Sequence, residues 1–161
     1  MEMNFQELFE NIEERTDIGI GLETLTPQIL NTTVCDLIND EETIERLLKY
    51  RSAFHITLYK KLGELNRGEL YDYLAEHVLL EYMVPLISRY IALYPLMPGA
   101  YFYGEFLIIL FRMDKAFWTE HESWYLYFKD IAKKALDSEE GEKLDRRVAF
   151  ELMKSVNKSS L

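Results

Sequence analysis

Only one cysteine, Cys35, occurs among the 161 residues. No intramolecular disulfide can form, which suits a reducing compartment. There are three histidines, His55, His77 and His121, and the residues three before them are Ser52, Leu74 and Trp118. The Glu-x-x-His pairs of a carboxylate-bridged dimetal bundle are therefore absent. GIGLET at 19–24 lacks the third glycine, the preceding strand and the Gly-Lys-Ser/Thr ending of a phosphate loop. Neither a Gly-x-Ser-x-Gly elbow nor a His-Glu-x-x-His zinc motif is present. Long apolar runs are missing too. The longest uncharged stretch, Tyr90 to Gly104, is 15 residues and contains Pro95 and Pro98, against the ~20 that a spanning helix needs. The opening MEMNFQELFENIEERT has neither the positive nor the continuous apolar region of a secretory signal. No membrane span is expected, and a cytoplasmic location is.

Basic residues are scarce in one part of the chain. Residues 1–45 hold 12 acidic residues against Arg15 alone, a net of -11, whereas residues 46–161 hold 16 acidic against 17 basic, a net of +1. Almost all of the formal charge of -10 thus lies in the first quarter. Such a field repels nucleic acid and attracts basic surfaces.

What is present is helical periodicity in a composition that folds, 48% hydrophobic and 29% charged. A domain of this length buries roughly 70% of the surface its unfolded chain exposes. Phe5, Leu8, Phe9 and Ile12 form one stripe, with Glu7, Glu10, Glu13 and Glu14 off it. Thr26 and Pro27 open a helix with Leu30, Val34, Leu37 and Ile38 inward. Asn39 with Glu42 has the spacing of a cap for the next helix, whose stripe runs from Ile44 to Leu65. After NRG at 66–68 a long helix is expected, kinked or restarted at Pro85. Pro95 to Gly99 is a turn, and a helix over about 101–118 is apolar on every side from Phe106 to Phe111, the mark of a helix surrounded by protein. Thr119 and Glu122 have capping-box spacing ahead of Trp124, Tyr127, Phe128, Ile131 and Ala135. A last helix carries Leu144, Val148, Leu152 and Val156, with residues 157–161 as a frayed tail. The expectation is one all-α domain over 1–161, of about seven helices around a central buried helix near 101–118.

The remaining candidates for chemistry are weak. His77 and Glu81 would sit one turn apart on a helix and could orient an imidazole or supply two metal ligands. Arg51 and His55 are separated by three residues, fewer than in the Arg-x4-6-His motif of the helical HEPN ribonucleases. Paired acids on polar helix faces stay solvated and ionised, without a catalytic pKa. Basic residues after Lys129 alternate with acidic ones, as on a solvated face. No catalytic residue, metal or cofactor is assigned.

These observations favour a binding protein. The expected partner surface is acidic, formed by Glu10, Glu13, Glu14, Asp17, Asp40, Glu41, Glu42 and Glu45, and docks on a basic protein rather than on nucleic acid. Seven of the eleven tyrosines fall between Tyr71 and Tyr103, and Tyr101 and Tyr103 are candidate aromatic contacts. In size and charge the chain resembles the small immunity proteins of bacterial toxin systems. That resemblance implies neutralisation of a cognate toxin, often a basic nuclease, inside the producing cell. Two alternatives stand beside it. One is an oligomeric scaffold in which Tyr94–Trp118 packs against its copy; the oligomeric state itself stays open. The other is an enzyme or small-molecule sensor with a helical pocket near His77 and Glu81.

Overall fold

The computed structural model of the chain describes residues 16–158. Among them are eleven α-helices and no strand, apart from an isolated antiparallel bridge between Thr33 and Lys61. The helices are α1 (Pro27–Leu30), α2 (Val34–Ile38), α3 (Glu41–Tyr50), α4 (Phe54–Thr57), α5 (Arg67–Ala75), α6 (Leu80–Ile91), α7 (Glu105–Phe111), α8 (Lys115–Glu120), α9 (Glu122–Leu136), α10 (Glu139–Glu142) and α11 (Arg146–Val156). A 3-10 turn, Leu22–Thr24, precedes α1, and a second, Leu62–Glu64, lies between α4 and α5. The fold is all-α, as the periodicity predicts. The count exceeds seven because several expected helices are cut into pieces. The expected first helix, with Phe5, Leu8, Phe9 and Ile12, lies outside the described residues.

Local chemistry explains the cuts. The Thr26 hydroxyl accepts from the Ile29 N–H and Pro27 fills the first helical position, as expected. A second cap, Thr33 accepting from the Asp36 N–H, then splits that helix into α1 and α2. Asn39 is not the next N-cap. It closes α2 in the left-handed conformation at φ 47°, and Asp40 precedes α3. The stripe from Ile44 to Leu65 does not ride one helix, because residues 58–62 leave α4 to hydrogen-bond with residues 32–35. The backbone N–H groups of Val34 and Cys35 donate to the carbonyls of Lys60 and Leu58, and that of Leu62 to Thr32.

The long helix expected after residue 68 breaks eight residues before Pro85. His77 at φ 55° and Leu79 at φ 51° are both left-handed, an arrangement that costs a non-glycine residue about 1–2 kcal/mol and that ends α5. Helix α6 then runs through Pro85 without a restart. The carbonyl that loses its donor there is Glu81's, and the Thr24 hydroxyl stands 3.4 Å from it. Asn66 caps α5 reciprocally with Glu69.

The central helix is where the sequence puts it, but shorter. In α7 Glu105, Phe106, Leu107, Ile108 and Leu110 are buried, and α7 meets α5, α9 and α11. It stops before Met113, and the Trp118 indole N–H, on α8, donates to the Leu110 carbonyl at 2.9 Å. Thr119 does not open a capping box; it sits inside α8, donating to the Lys115 carbonyl at 2.8 Å. Of the five residues expected on the α9 stripe, Trp124, Phe128 and Ala135 are buried, while Tyr127 and Ile131 are half-buried.

Candidate partner-binding surface

The first turn of α3 carries Glu41 and Glu42, with Asp40 before it and Glu45 one turn on, and all four are exposed. There is a local reason for acids there. Carboxylates at a helix N-terminus meet the positive end of its dipole, and Lys49 stands in the last turn at the other end. Asp40 accepts from the Thr43 hydroxyl, which holds its carboxyl below the ordinary aspartate value. The inward face of the same helix is Ile44, Leu47 and Leu48, packed on the core.

Three of the four bases over residues 46–60 are turned away toward α5. Arg46 pairs with Glu76 at 3.1 Å, Arg51 with Asp72 at 2.6 Å, and Lys60 with Glu69 at 2.8 Å. The three acceptors, Glu69 and Asp72 on α5 and Glu76 at its C-terminal cap, recur at helical spacing, so one face clamps the segment 46–60. Burial holds the Asp72 carboxyl above its ordinary value, against the pull of Arg51. Among the described residues, Glu41, Glu42 and Glu45 have no such cation within ion-pair distance. Over residues 16–45 there are seven acidic side chains and no basic one.

The expected acids do not share one helix face. Asp17 lies in a bend whose neighbours Gly19 and Ile20 rest on Ser88 of α6, the Ile20 N–H donating to the Ser88 hydroxyl at 3.0 Å. Gly21, at φ 67°, lies against Trp124 of α9. Asp40, Glu41, Glu42 and Glu45 instead ride on a helix supported by α2, α4 and α5. Glu10, Glu13 and Glu14 lie outside the described residues.

A second surface is built around Glu105. This carboxylate is 2% exposed, and its Oε2 accepts from the N–H groups of Ala100, Tyr101 and Phe102 at 2.7, 2.8 and 3.2 Å. The Tyr71 hydroxyl also hydrogen-bonds to it, and burial together with that bond pushes the phenol well above its ordinary value. A Cβ on Gly99 would come within 2.5 Å of the Tyr71 ring and 3.1 Å of Glu105 Oε2, so the turn closes tightly over both groups. Gly104 enters α7 at φ 83°, a conformation glycine adopts freely. The result is a fixed loop that turns Tyr101 outward, 79% exposed, with Phe102 and Tyr103 at its sides. Tyr71 of α5 holds this loop through Glu105, and Asp72, next to it, holds Arg51 near the end of α3. One helix therefore supports both surfaces.

Sequence patterns missed the anchoring role of Glu105, since the stretch around it reads as uniformly apolar. They also passed over exposed apolar residues. Tyr50, Ile56 and Tyr59 point to solvent at the end of α3 and around α4. Their signal was available, because Ile56 and Tyr59 fall off the Phe54/Leu58 stripe.

His77 and Glu81 are not paired on one helical turn. The left-handed conformations of His77 and Leu79 destroy the one-turn spacing, His77 faces Asp114 with Nδ1 4.0 Å from the carboxylate, and Glu81 is exposed on α6. Arg51 and His55 do not converge on a substrate: one is paired with Asp72, and the other approaches the Leu48 carbonyl at 3.1 Å. Among the described residues no three His, Cys, Asp or Glu side chains stand together as metal ligands, and no helix is long and apolar enough to cross a membrane. For the segment Tyr94–Trp118, the centre is packed inside the protein, and the exposed positions are Tyr94, residues 100–103, Arg112 and residues 114–116.

The α3 acids and the braced aromatic loop are the candidate contact surfaces of this helical scaffold. The sequence profile of the CDI immunity proteins matches residues 36–125, more than half of the chain, and the chain belongs to that family. Members bind and neutralise a toxin partner and are not enzymes. No curated protein and no solved structure matches it. The matched stretch takes in the acidic end of α3, the α5 clamp, Glu105 and the aromatic loop.

Proposed function

We propose that this immunity protein neutralises a toxin domain with a basic surface, a nuclease being the class such a surface suits, and that it does so in the cytoplasm. The acids Asp40, Glu41, Glu42 and Glu45 at the start of α3 steer the encounter, together with Asp17 and with Glu10, Glu13 and Glu14 of the preceding segment. Tyr101 and Tyr103 supply contacts that slow dissociation. The observation that carries the reading is the charge arrangement: seven acids and no base over residues 16–45, while Arg46, Arg51 and Lys60 are held on α5.

Charge complementarity acts chiefly on the association rate, and aromatic contacts in a desolvated patch act on the dissociation rate. The two can be separated by stopped-flow binding of the cognate toxin domain. Steering predicts an association rate that falls at least tenfold as salt is raised to about 1 M, where the Debye length is about 3 Å. Tyr101→Ala should raise the dissociation rate and leave association nearly unchanged. An association rate indifferent to salt would exclude the acidic surface as the docking face.

A further inference from the structure

The outer face of helix α11 is opposite in sign to the acidic end of α3. Its inner residues Val148 and Leu152 are buried, close to Gly104. Its outer side opens into a groove of about 540 Å³ whose lining includes Arg146, Arg147, Phe150, Lys154 and Lys158. Arg147, Phe150, Lys154 and Lys158 follow one another at steps of three and four residues, so they form one row along the helix and just past its end. Glu151 also lines the groove, but both of its carboxylate oxygens are taken by Arg112, at 2.7 and 2.8 Å. Among the described residues, the four cations have no ion-pair partner. In their midst Phe150 is 69% exposed, and Met153 beside it 51% exposed.

Apolar surface rimmed by charge marks an interaction site, and the sign of this rim defines the occupant's chemistry. Carboxylates answer the row of cations, and an apolar side chain covers Phe150. Size and surroundings then select among anions. From Arg147 to Lys158 the row spans about 16 Å at about 1.5 Å per residue, a length that an extended peptide covers in about five residues. Just before α11 the sign reverses. Asp145, which accepts from the Arg147 N–H at 2.9 Å, is exposed, as are Glu139, Glu140 and Glu142. A nucleic-acid strand or an anionic membrane would extend past the row onto these carboxylates and be repelled. A short segment stops before them. We propose that the α11 groove is a second protein-binding surface, which takes a short acidic segment of another polypeptide, its carboxylates on Arg147, Lys154 and Lys158 and an apolar side chain against Phe150 and Met153. None of the residues assigned to the toxin lies on α11, and the groove falls outside residues 36–125, the stretch that the family profile matches, so this surface does not rest on the toxin reading.

The test uses the full chain and, as probe, a short fluorescein-labelled peptide carrying leucines among glutamates, followed by fluorescence anisotropy. Docking predicts saturable binding that weakens roughly fivefold or more in about 1 M salt, where charges are screened. Phe150→Ala should weaken it roughly fivefold, and Lys154→Glu, which sets like charges against each other, roughly tenfold. Glu41→Gln and Tyr101→Ala should leave it unchanged, and a peptide of equal charge with serine in place of leucine should bind more weakly. Should a groove variant not fold, backbone amide shifts of the native protein titrated with the peptide decide the matter, with the changes expected on residues 146–158. No saturable binding, shifts located elsewhere, or equal binding by the folded groove variants would overturn the proposal. So would tighter binding in the same groove by a single-stranded RNA of equal charge or by vesicles containing phosphatidylserine, because the occupant would then be a nucleic acid or a membrane.

Discussion

Replacing Glu105 with alanine should be the most damaging single change to the aromatic loop. The carboxylate accepts three backbone N–H groups and the Tyr71 hydroxyl while almost wholly buried. Hydrogen bonds to a charged acceptor contribute about 1.5–3 kcal/mol each. The three amides belong to a surface loop, so water can replace part of what is lost, and the net destabilisation should be about 3–5 kcal/mol. That is a large share of the 5–15 kcal/mol typical of a domain. Glu105→Gln keeps an accepting oxygen but loses the charge, which roughly halves such bonds, and should cost about 1–2 kcal/mol. Urea titrations of both variants and of Tyr71→Phe give these values directly. The double-mutant cycle should return a coupling of about 0.5–3 kcal/mol between Tyr71 and Glu105. Hydrogen exchange should accelerate at Ala100, Tyr101 and Phe102 first. A loss below 1 kcal/mol for Glu105→Ala, with exchange at those amides unchanged, would refute the idea that this carboxylate braces the loop.

Other consequences follow from the same packing. The Tyr73 hydroxyl is buried with Thr57 at 2.8 Å, and burial pushes its pKa up to about 12, against about 10 in the unfolded chain. A raised value favours the protonated native state, so this group's contribution is complete below pH 10 and is lost as pH rises through 12, about 2–3 kcal/mol in all. Stability measured across that window should fall less steeply in Tyr73→Phe than in the native protein. Gly21 sits at φ 67°, and a Cβ there would meet the Trp124 ring at 2.5 Å; Gly21→Ala should destabilise by about 2–4 kcal/mol. Gly68 is exposed within α5, and a Cβ there has only Asn66 Oδ1 near it, at 3.6 Å. Gly68→Ala should therefore raise stability by about 0.5–1 kcal/mol, and a matched pair of thermal melts checks both signs.

Much of the architecture was legible because burial writes itself into periodicity. Phe106 to Leu110 identified the central helix, and Thr26 with Pro27 identified a true helix start. The failures have physical causes. No residue type announces that His77 and Leu79 adopt left-handed conformations, and Pro85, the conventional breaker, is tolerated within α6. The Thr119 capping spacing was a coincidence of composition, since helix α8 had already begun at Lys115. Backbone pairing between residues 32–35 and 58–62 is a contact across the chain, invisible to any local window, and it cuts the helix that the Ile44–Leu65 stripe suggested. For the surface, charge was readable and support was not. The acids of α3 stand out in composition, whereas the burial of Glu105 beneath the aromatic loop depends on Tyr71, more than thirty residues away in sequence.

Whether acidic residues guide this immunity protein onto its toxin can be decided by neutralising all eight of them together. Asp17 and Asp40 become Asn, and Glu10, Glu13, Glu14, Glu41, Glu42 and Glu45 become Gln, with circular dichroism and a thermal melt to verify the fold. Association with the cognate toxin domain is then followed by stopped flow at low salt. Guidance by these acids predicts an association rate at least tenfold below that of the native protein, with its dependence on salt largely abolished. Binding by the folded variant at the native rate, with the native salt dependence, would contradict it.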